Sequence, residues 1–379
     1  MKQKICFVNA VKPDFLGGIS NYQNNLIKYL QLKDKNQDIS WIYKSNRHEN
    51  YKKDGVNYIG IKVKKIPLID DIIFNIKVRK YLKNNFFNII NSHAIWGYWM
   101  KKYKKNGIQT LIHTYHGVTY PYYKVHLQRF NFITRILMSP ILAYSYLIEK
   151  PPIKKADRII CVSEKVKDQV QNLYENVDKA FVIRTGVDLT SFKARNKNLC
   201  RKELGLDKDK IYGLHVAKGG FWIKGLDRAV KLSEKIYEKD KNYRLIVIGP
   251  NYDKNKRFLN KEFIISLEGM SREKLSLYNS ASDIFFCLSR YEGGAPTLVV
   301  SEAMASGCIV VCSEDSQQEI IHDKINGIVI NKYEEKEAEE ILKTINNTKT
   351  RDKIVENSLK SIKNLSLENW GKKYLELLK

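Results

Sequence analysis

The stretch Asp283–Ser313 constrains this chain more than any other. Asp283–Leu288 is an apolar run of buried-strand character, and Cys308–Ser313 is a second. Between them lie a polar loop with Glu292-Gly293-Gly294-Ala295 and a short apolar segment that carries Glu302. Pro296 falls near the first turn of the expected helix and Gly307 just past its end, the usual punctuation of a helix. Strand, loop, helix and strand in that order, repeated along the chain, give an α/β protein with parallel sheets. A loop without Cβ atoms that opens onto a helix N-terminus presents unpaired N–H groups and the positive end of a dipole. That is a site for a diphosphate, held by Gly293, Gly294 and the backbone of Ala295, Pro296, Thr297 and Leu298. Glu292 and Glu302 repel phosphate and suit the hydroxyls of a sugar or a ribose.

This segment resembles the nucleotide-sugar site of glycosyltransferase family 4 enzymes, which have the two-domain GT-B fold. Glu302-Ala303-Met304-Ala305-Ser306-Gly307 matches the second half of the family motif. The first half departs: Glu292 stands two positions further upstream than the family pattern, and Gly294 occupies the expected place. Either the loop is longer and Glu292 still reaches the site, or the first Glu is missing; we favour the longer loop. A second match follows the apolar run Ile211–Val216, where Lys224-Gly225 opens a helix as in the family. Lys218 stands where the family has Arg, so it supplies charge without the flat bidentate fork. The resemblance implies that Lys218 and Lys224 clamp the donor diphosphate. Preformed positive charge is what a departing nucleoside diphosphate needs as its glycosidic bond breaks.

Further matches run along the chain. Gly17-Gly18 lies between a first strand, Lys4–Asn9, and a helical pattern from Ile19, as in the family, where the pair lines the cleft. No Walker A lysine follows it. Phe87–His93 and Thr110–His116 each read as a strand ending on His, and ligands of open α/β sheets sit beyond the carboxyl ends of strands. His116, followed by Gly117, resembles the family's active-site histidine; His93 reads as packed at its strand end. Phe181–Asp188 resembles the crossover between domains, and Glu268-Gly269-Met270 lies in the loop that passes the nucleobase in the family. Trp370 and Leu375–Leu378 anchor a last helix.

A chain of 379 residues is long enough for two cores. Six scattered cysteines without a Cys-x-x-Cys pair read as reduced core residues of a cytosolic protein. The chain enters a strand at once, without a signal-peptide pattern, and its longest apolar stretch, Phe130–Ile148, is broken by Asn131, Arg135 and Pro140. The formal net charge of +25 predicts attraction to polyanions, although a Lys- and Asn-rich composition is an equally good source of it. The aromatic and basic segment Tyr120–Lys155 leaves two readings open. It suits a helix in the headgroup region of an anionic bilayer, or a helix packed on its domain beneath lysine stems.

The resemblance implies two facing Rossmann-like domains with a cleft between them. Residues 1–185 form an acceptor-binding domain, residues 186–359 a nucleotide-sugar domain, and residues 360–379 a helix crossing back. The expected activity is a metal-independent, retaining hexosyltransferase without a cofactor. It would move a sugar from a UDP- or GDP-type donor to a cell-surface glycan or a lipid-linked saccharide. His116, Glu292 and Lys224 would serve catalysis, and Gly17, Gly18, Lys218, Lys224, Glu302 and the residues from Gly293 to Leu298 would bind the donor. The expected place is the cytoplasm, with peripheral contact at the inner face of the membrane. Two rivals are a GT-B nucleotide-sugar epimerase and a non-enzymatic polyanion binder. A nucleic-acid partner is not expected, since it would need a basic face with base-stacking aromatics.

Overall fold

The computed structural model describes all residues except 1–2, 16, 35–36, 100, 102–108, 176, 217–219, 250–257, 295, 317 and 379. Lys218 and Ala295 therefore lie outside the described residues. The chain divides into two compact units, Met1–Arg184 with Trp370–Lys379, and Thr185–Asn369.

The first unit is built on a sheet of β1 (Lys4–Val8), β2 (Asp38–Ser45), β3 (Glu49–Lys53), β4 (Val56–Lys62), β5 (Ile89–His93), β6 (Thr110–Tyr115), β7 (Arg158–Cys161) and β8 (Ala180–Val182). Their spatial order is β3-β4-β2-β1-β5-β6-β7-β8. All neighbouring pairs are parallel except β3 with β4. The strand order reverses at β1, which lies between β2 and β5. The region from Tyr51 to Phe87, Lys-rich with interspersed apolar residues, holds most of this edge hairpin and a helix, Ile69–Asn84. The hairpin turns on Asp54 and Gly55, both at positive φ, the requirement of a tight two-residue turn. Its outer strand is polar and largely exposed, which removes the alternation that would have revealed it.

The last helix, Leu367–Leu378, joins the first unit from Trp370 onward. Trp370 packs edge-on against Tyr22, and Asn91 donates to the Tyr374 hydroxyl. Gly371 lies so close to Tyr29 that a Cβ there would sit 2.3 Å from the ring, so only glycine lets the helix dock this deeply.

The second unit carries β9 (Ile211–Val216), β10 (Tyr243–Ile248), β11 (Ile264–Leu267), β12 (Ile284–Cys287), β13 (Ile309–Ser313) and β14 (Ile328–Ile330). They form an all-parallel sheet in the order β11-β10-β9-β12-β13-β14. Side chains alternate cleanly between its faces. Leu245, Val247, Ile284, Phe286, Ile309 and Val311 join one core with the helices Leu226–Lys239 and Glu335–Asn346. Ile246, Ile248, Phe285, Cys287, Val310 and Cys312 join another beneath the helix Leu298–Ala305. Burial on both faces explains the continuous apolar runs that made these strands legible. All six cysteines are buried free thiols.

Candidate active site

In the second unit the strand order reverses between β9 and β12, and the loops that leave their carboxyl ends carry the sequence motifs. Gly225 is where the two loops meet. It holds φ +70°, and a Cβ there would lie 1.9 Å from the Leu288 carbonyl oxygen at the end of β12. The Lys-Gly motif therefore has a backbone reason: any side chain at 225 would push the two loops apart. Arg290 N–H donates to the Ile223 carbonyl at 2.9 Å and fastens the loops further along. The Arg290 side chain grips Asp227 through two bonds of 2.8 and 2.6 Å and lies over the Trp222 ring at 4.4 Å.

This crossing places Lys224 against Glu292. The Lys224 ammonium donates to both carboxylate oxygens at 2.8 Å, and the Ser289 hydroxyl donates to Oε1 at 2.6 Å. Glu292 is 8% exposed, whereas the Lys224 side chain is 39% exposed. The lengthened loop thus brings Glu292 to the lysine of the other motif. Its carboxylate anchors a cation whose stem remains open to solvent.

The helix after this loop starts at Leu298, with Thr297 as its extended N-cap, so Pro296 precedes the cap rather than lying in the first turn. Thr297 N–H is held by the Gln318 side chain at 3.0 Å, and the following N–H groups have no intrahelical acceptor. Gly307 follows the helix at φ +85°, as its sequence position requires. Within the helix, Glu302 is 1% exposed and accepts from Arg272 at 2.6 Å. Burial pushes its carboxyl up to about 7 despite the opposing pull of the Arg272 guanidinium. Arg272, Ser289, Arg290 and Asp227 are site residues that the motifs did not point to.

The first unit gathers a different set of groups. Gly17 is the extended N-cap of the helix Gly18–Lys33, which follows β1. A Cβ on Gly18 would meet only open space, so packing within the unit does not demand glycine there. One turn on, Tyr22 packs edge-on against His116 with ring centroids 4.6 Å apart. His116, just past β6, also stacks on His93 at the end of β5, and His93 Nδ1 lies 2.9 Å from His116 Nε2. His93, which read as a packing residue, is thus the hydrogen-bond partner of His116. Burial drives both imidazoles toward the neutral form, and holds His116 at about 3. His93 Nε2 is buried without a partner among the described residues. An orphan N–H costs more than an orphan lone pair, so the proton belongs on His93 Nδ1 and is donated to His116 Nε2. His116 then carries its own proton on Nδ1 as a neutral donor.

The turn after His116 is braced from below. Glu149, fully buried, accepts from Thr119 N–H at 3.0 and 2.9 Å at the start of the helix Thr119–Leu127. Burial raises its carboxyl to about 7, while those Thr119 bonds pull the other way.

Two Rossmann-like units on mainly parallel sheets are the architecture of the GT-B class of glycosyltransferases. Comparison with known proteins agrees. The model for group 1 glycosyl transferases matches residues 196–361, and that for glycosyltransferase family 4 matches residues 16–191. An uncharacterized glycosyltransferase of Methanocaldococcus jannaschii is 26% identical, over 96% of this chain and 94% of its own. Sucrose-phosphate synthase of Thermosynechococcus elongatus superposes with a TM-score of 0.81 at 17% identity, covering 99% of this chain and 98% of its own. WaaG, a glycosyltransferase involved in lipopolysaccharide biosynthesis, gives 0.78 at 16% identity over 98% of this chain and 99% of its own. Anabaena HepE, solved in complex with UDP-glucose, gives 0.71 at 15% identity over 99% of both chains. The chain is a family 4-like glycosyltransferase.

Proposed function

We propose that this glycosyltransferase takes a nucleoside-diphosphate sugar, in the first instance a UDP-sugar, and transfers the sugar with retention to a glycan or lipid-linked saccharide. The observation that carries the reading is the Lys224–Glu292 pair at the carboxyl ends of β9 and β12. It supplies a partly exposed cation anchored to the loop that leads into the helix Leu298–Ala305, and a cation together with a helix N-terminus suits a diphosphate. The complex of Anabaena HepE with UDP-glucose favours the uridine nucleotide. In this reading Lys224 and the first-turn N–H groups of Leu298–Ala305 bind the diphosphate, together with Lys218. Glu302 accepts the ribose hydroxyls, and Glu292 with the Gly293-Gly294 backbone borders the sugar. Gly17 and Gly18 allow close approach of the donor, and the His116 Nδ1–H donates to a hydroxyl of the transferred sugar.

The bond from C1 to the β-phosphate oxygen breaks as the acceptor oxygen bonds to C1 from the same face. The acceptor proton passes to the departing phosphate oxygen, so neither a protein nucleophile nor a metal enters the step. Lys224 stabilises the charge that gathers on that oxygen.

Thermal melting with UDP, GDP, ADP and their sugar conjugates, with and without EDTA, tests the proposal. Ligand at 100 times its dissociation constant stabilises by about 2.7 kcal/mol. A shift with uridine nucleotides alone, unchanged by EDTA, is the expected result. A shift confined to another base reassigns the donor, dependence on a divalent ion removes the metal-free step, and no shift with any nucleotide overturns the reading.

A further inference from the structure

Among the described residues, the short helix Phe132–Met138 is unlike every other helix of the first unit, because none of its residues is buried. Phe132, Ile133, Ile136 and Leu137 are 75%, 69%, 56% and 74% exposed. Their spacing puts them on one helical face, while Thr134 and Met138 turn inward. Such a cluster on a protein surface marks a contact.

Charge identifies the partner. Between Thr119 and Lys155 the cations are Lys124, Arg129, Arg135, Lys150, Lys154 and Lys155, and the one carboxylate, Glu149, is fully buried. The Arg135 guanidinium is fixed beside the patch by the carbonyls of Phe130 and Gln128, at 2.8 and 2.6 Å. A second copy docked on this face would set cations against cations. A nucleic acid would meet Ile133, Ile136 and Leu137 beside a single exposed ring, Phe132, where it needs a run of flat rings for stacking. An apolar ridge flanked by the cations Arg129 and Arg135 matches the headgroup–acyl boundary of an anionic bilayer. Among the described residues no helix is long and apolar enough to cross a membrane, so the contact is peripheral.

We propose that Phe132–Met138 is a membrane-insertion helix that seats the first unit on an anionic lipid surface, with Arg129 and Arg135 at headgroup level. The inference stands on this face alone and does not depend on the donor or on the chemistry of transfer.

Flotation of the full chain with vesicles of phosphatidylcholine, alone and mixed with phosphatidylglycerol, tests it at low and high salt. The substituted residues are exposed, so the variants keep the fold, and the melting temperature checks this. The protein should float with the mixed vesicles and much less with phosphatidylcholine alone. The double variant Ile133→Asp, Leu137→Asp should bind at least about tenfold more weakly at either salt concentration. Arg129→Ser with Arg135→Ser should weaken binding by about tenfold at low salt and little at high salt. A Phe132→Trp reporter should shift its emission to the blue on binding. Failure of the parent protein to float, or full binding by the double-Asp variant, overturns the proposal. So does a parent dimer that becomes monomeric in the double-Asp variant without any vesicle binding.

Discussion

The two units surround their candidate site residues with opposite electrostatics. Around the loops of the second unit, Lys224 faces Glu292, Arg290 faces Asp227, Arg228 faces Asp315 and Arg272 faces Glu302. At the strand ends of the first unit, His93 and His116 are both driven neutral by burial, and Tyr22 packs edge-on against the two. An ionic frame holds fixed charge against an anionic leaving group, and its pairs satisfy one another until the ligand arrives. A neutral frame offers hydrogen bonds to sugar hydroxyls without disturbing that field. On the proposed reading, affinity for the nucleotide belongs to the second unit and orientation of the sugar to the first.

The comparison breaks most easily at Lys224. Lys224→Ala removes the cation and takes the ammonium partner from the buried Glu292 carboxylate, so turnover should fall by about 10²–10³-fold. Nucleotide-induced stabilisation should vanish with it, and Lys224→Arg should restore part of both. Next comes Gly225→Ala, where the left-handed backbone and the collision with the Leu288 carbonyl together cost roughly 3 kcal/mol. Denaturant melts would show that loss, whereas Ala at Gly18 should leave the unliganded stability nearly unchanged, since its Cβ meets open space.

His116→Ala should lower kcat by roughly 10²-fold while the dissociation constant for UDP stays constant. Steady-state kinetics beside calorimetry separates the two quantities, and a matching loss of UDP affinity would erase the proposed division.

The smallest effect is the pH dependence that Glu302 introduces. Its carboxyl stands at about 7 in the folded protein against an ordinary value of 4.5. The folded state therefore binds the extra proton across that interval. The resulting stability is fully present below the lower value and is lost as pH rises through about 7. Ribose hydroxyls need the carboxylate, so UDP affinity should rise several-fold from about pH 6 to about pH 8. Glu302→Gln should flatten the Glu302 contribution to both trends, as seen in calorimetry and melting across that range.

Much of this was legible because buried parallel strands and the turns that follow them leave local signatures. Lys224-Gly225 is recognisable since two loops cross at a glycine that admits no side chain, and Gly307 since a helix ends in the left-handed region. The ion pairs were not legible: Lys224 and Glu292 are 68 residues apart, Arg290 and Asp227 63, Arg272 and Glu302 30. Neither periodicity nor spacing reports which side chains meet across a crossover. His93 was missed for the same reason, since a strand-end histidine looks alike whether it packs or pairs with a neighbour on the next strand. The β3–β4 hairpin had a signal in Asp54-Gly55, masked by a polar outer strand.

The most direct test of the division of labour is the melting shift given by UDP in three proteins: the parent, Lys224→Ala and His116→Ala. The account predicts equal shifts for the parent and His116→Ala, and none for Lys224→Ala. A shift that survives Lys224→Ala, or that His116→Ala abolishes, would contradict it.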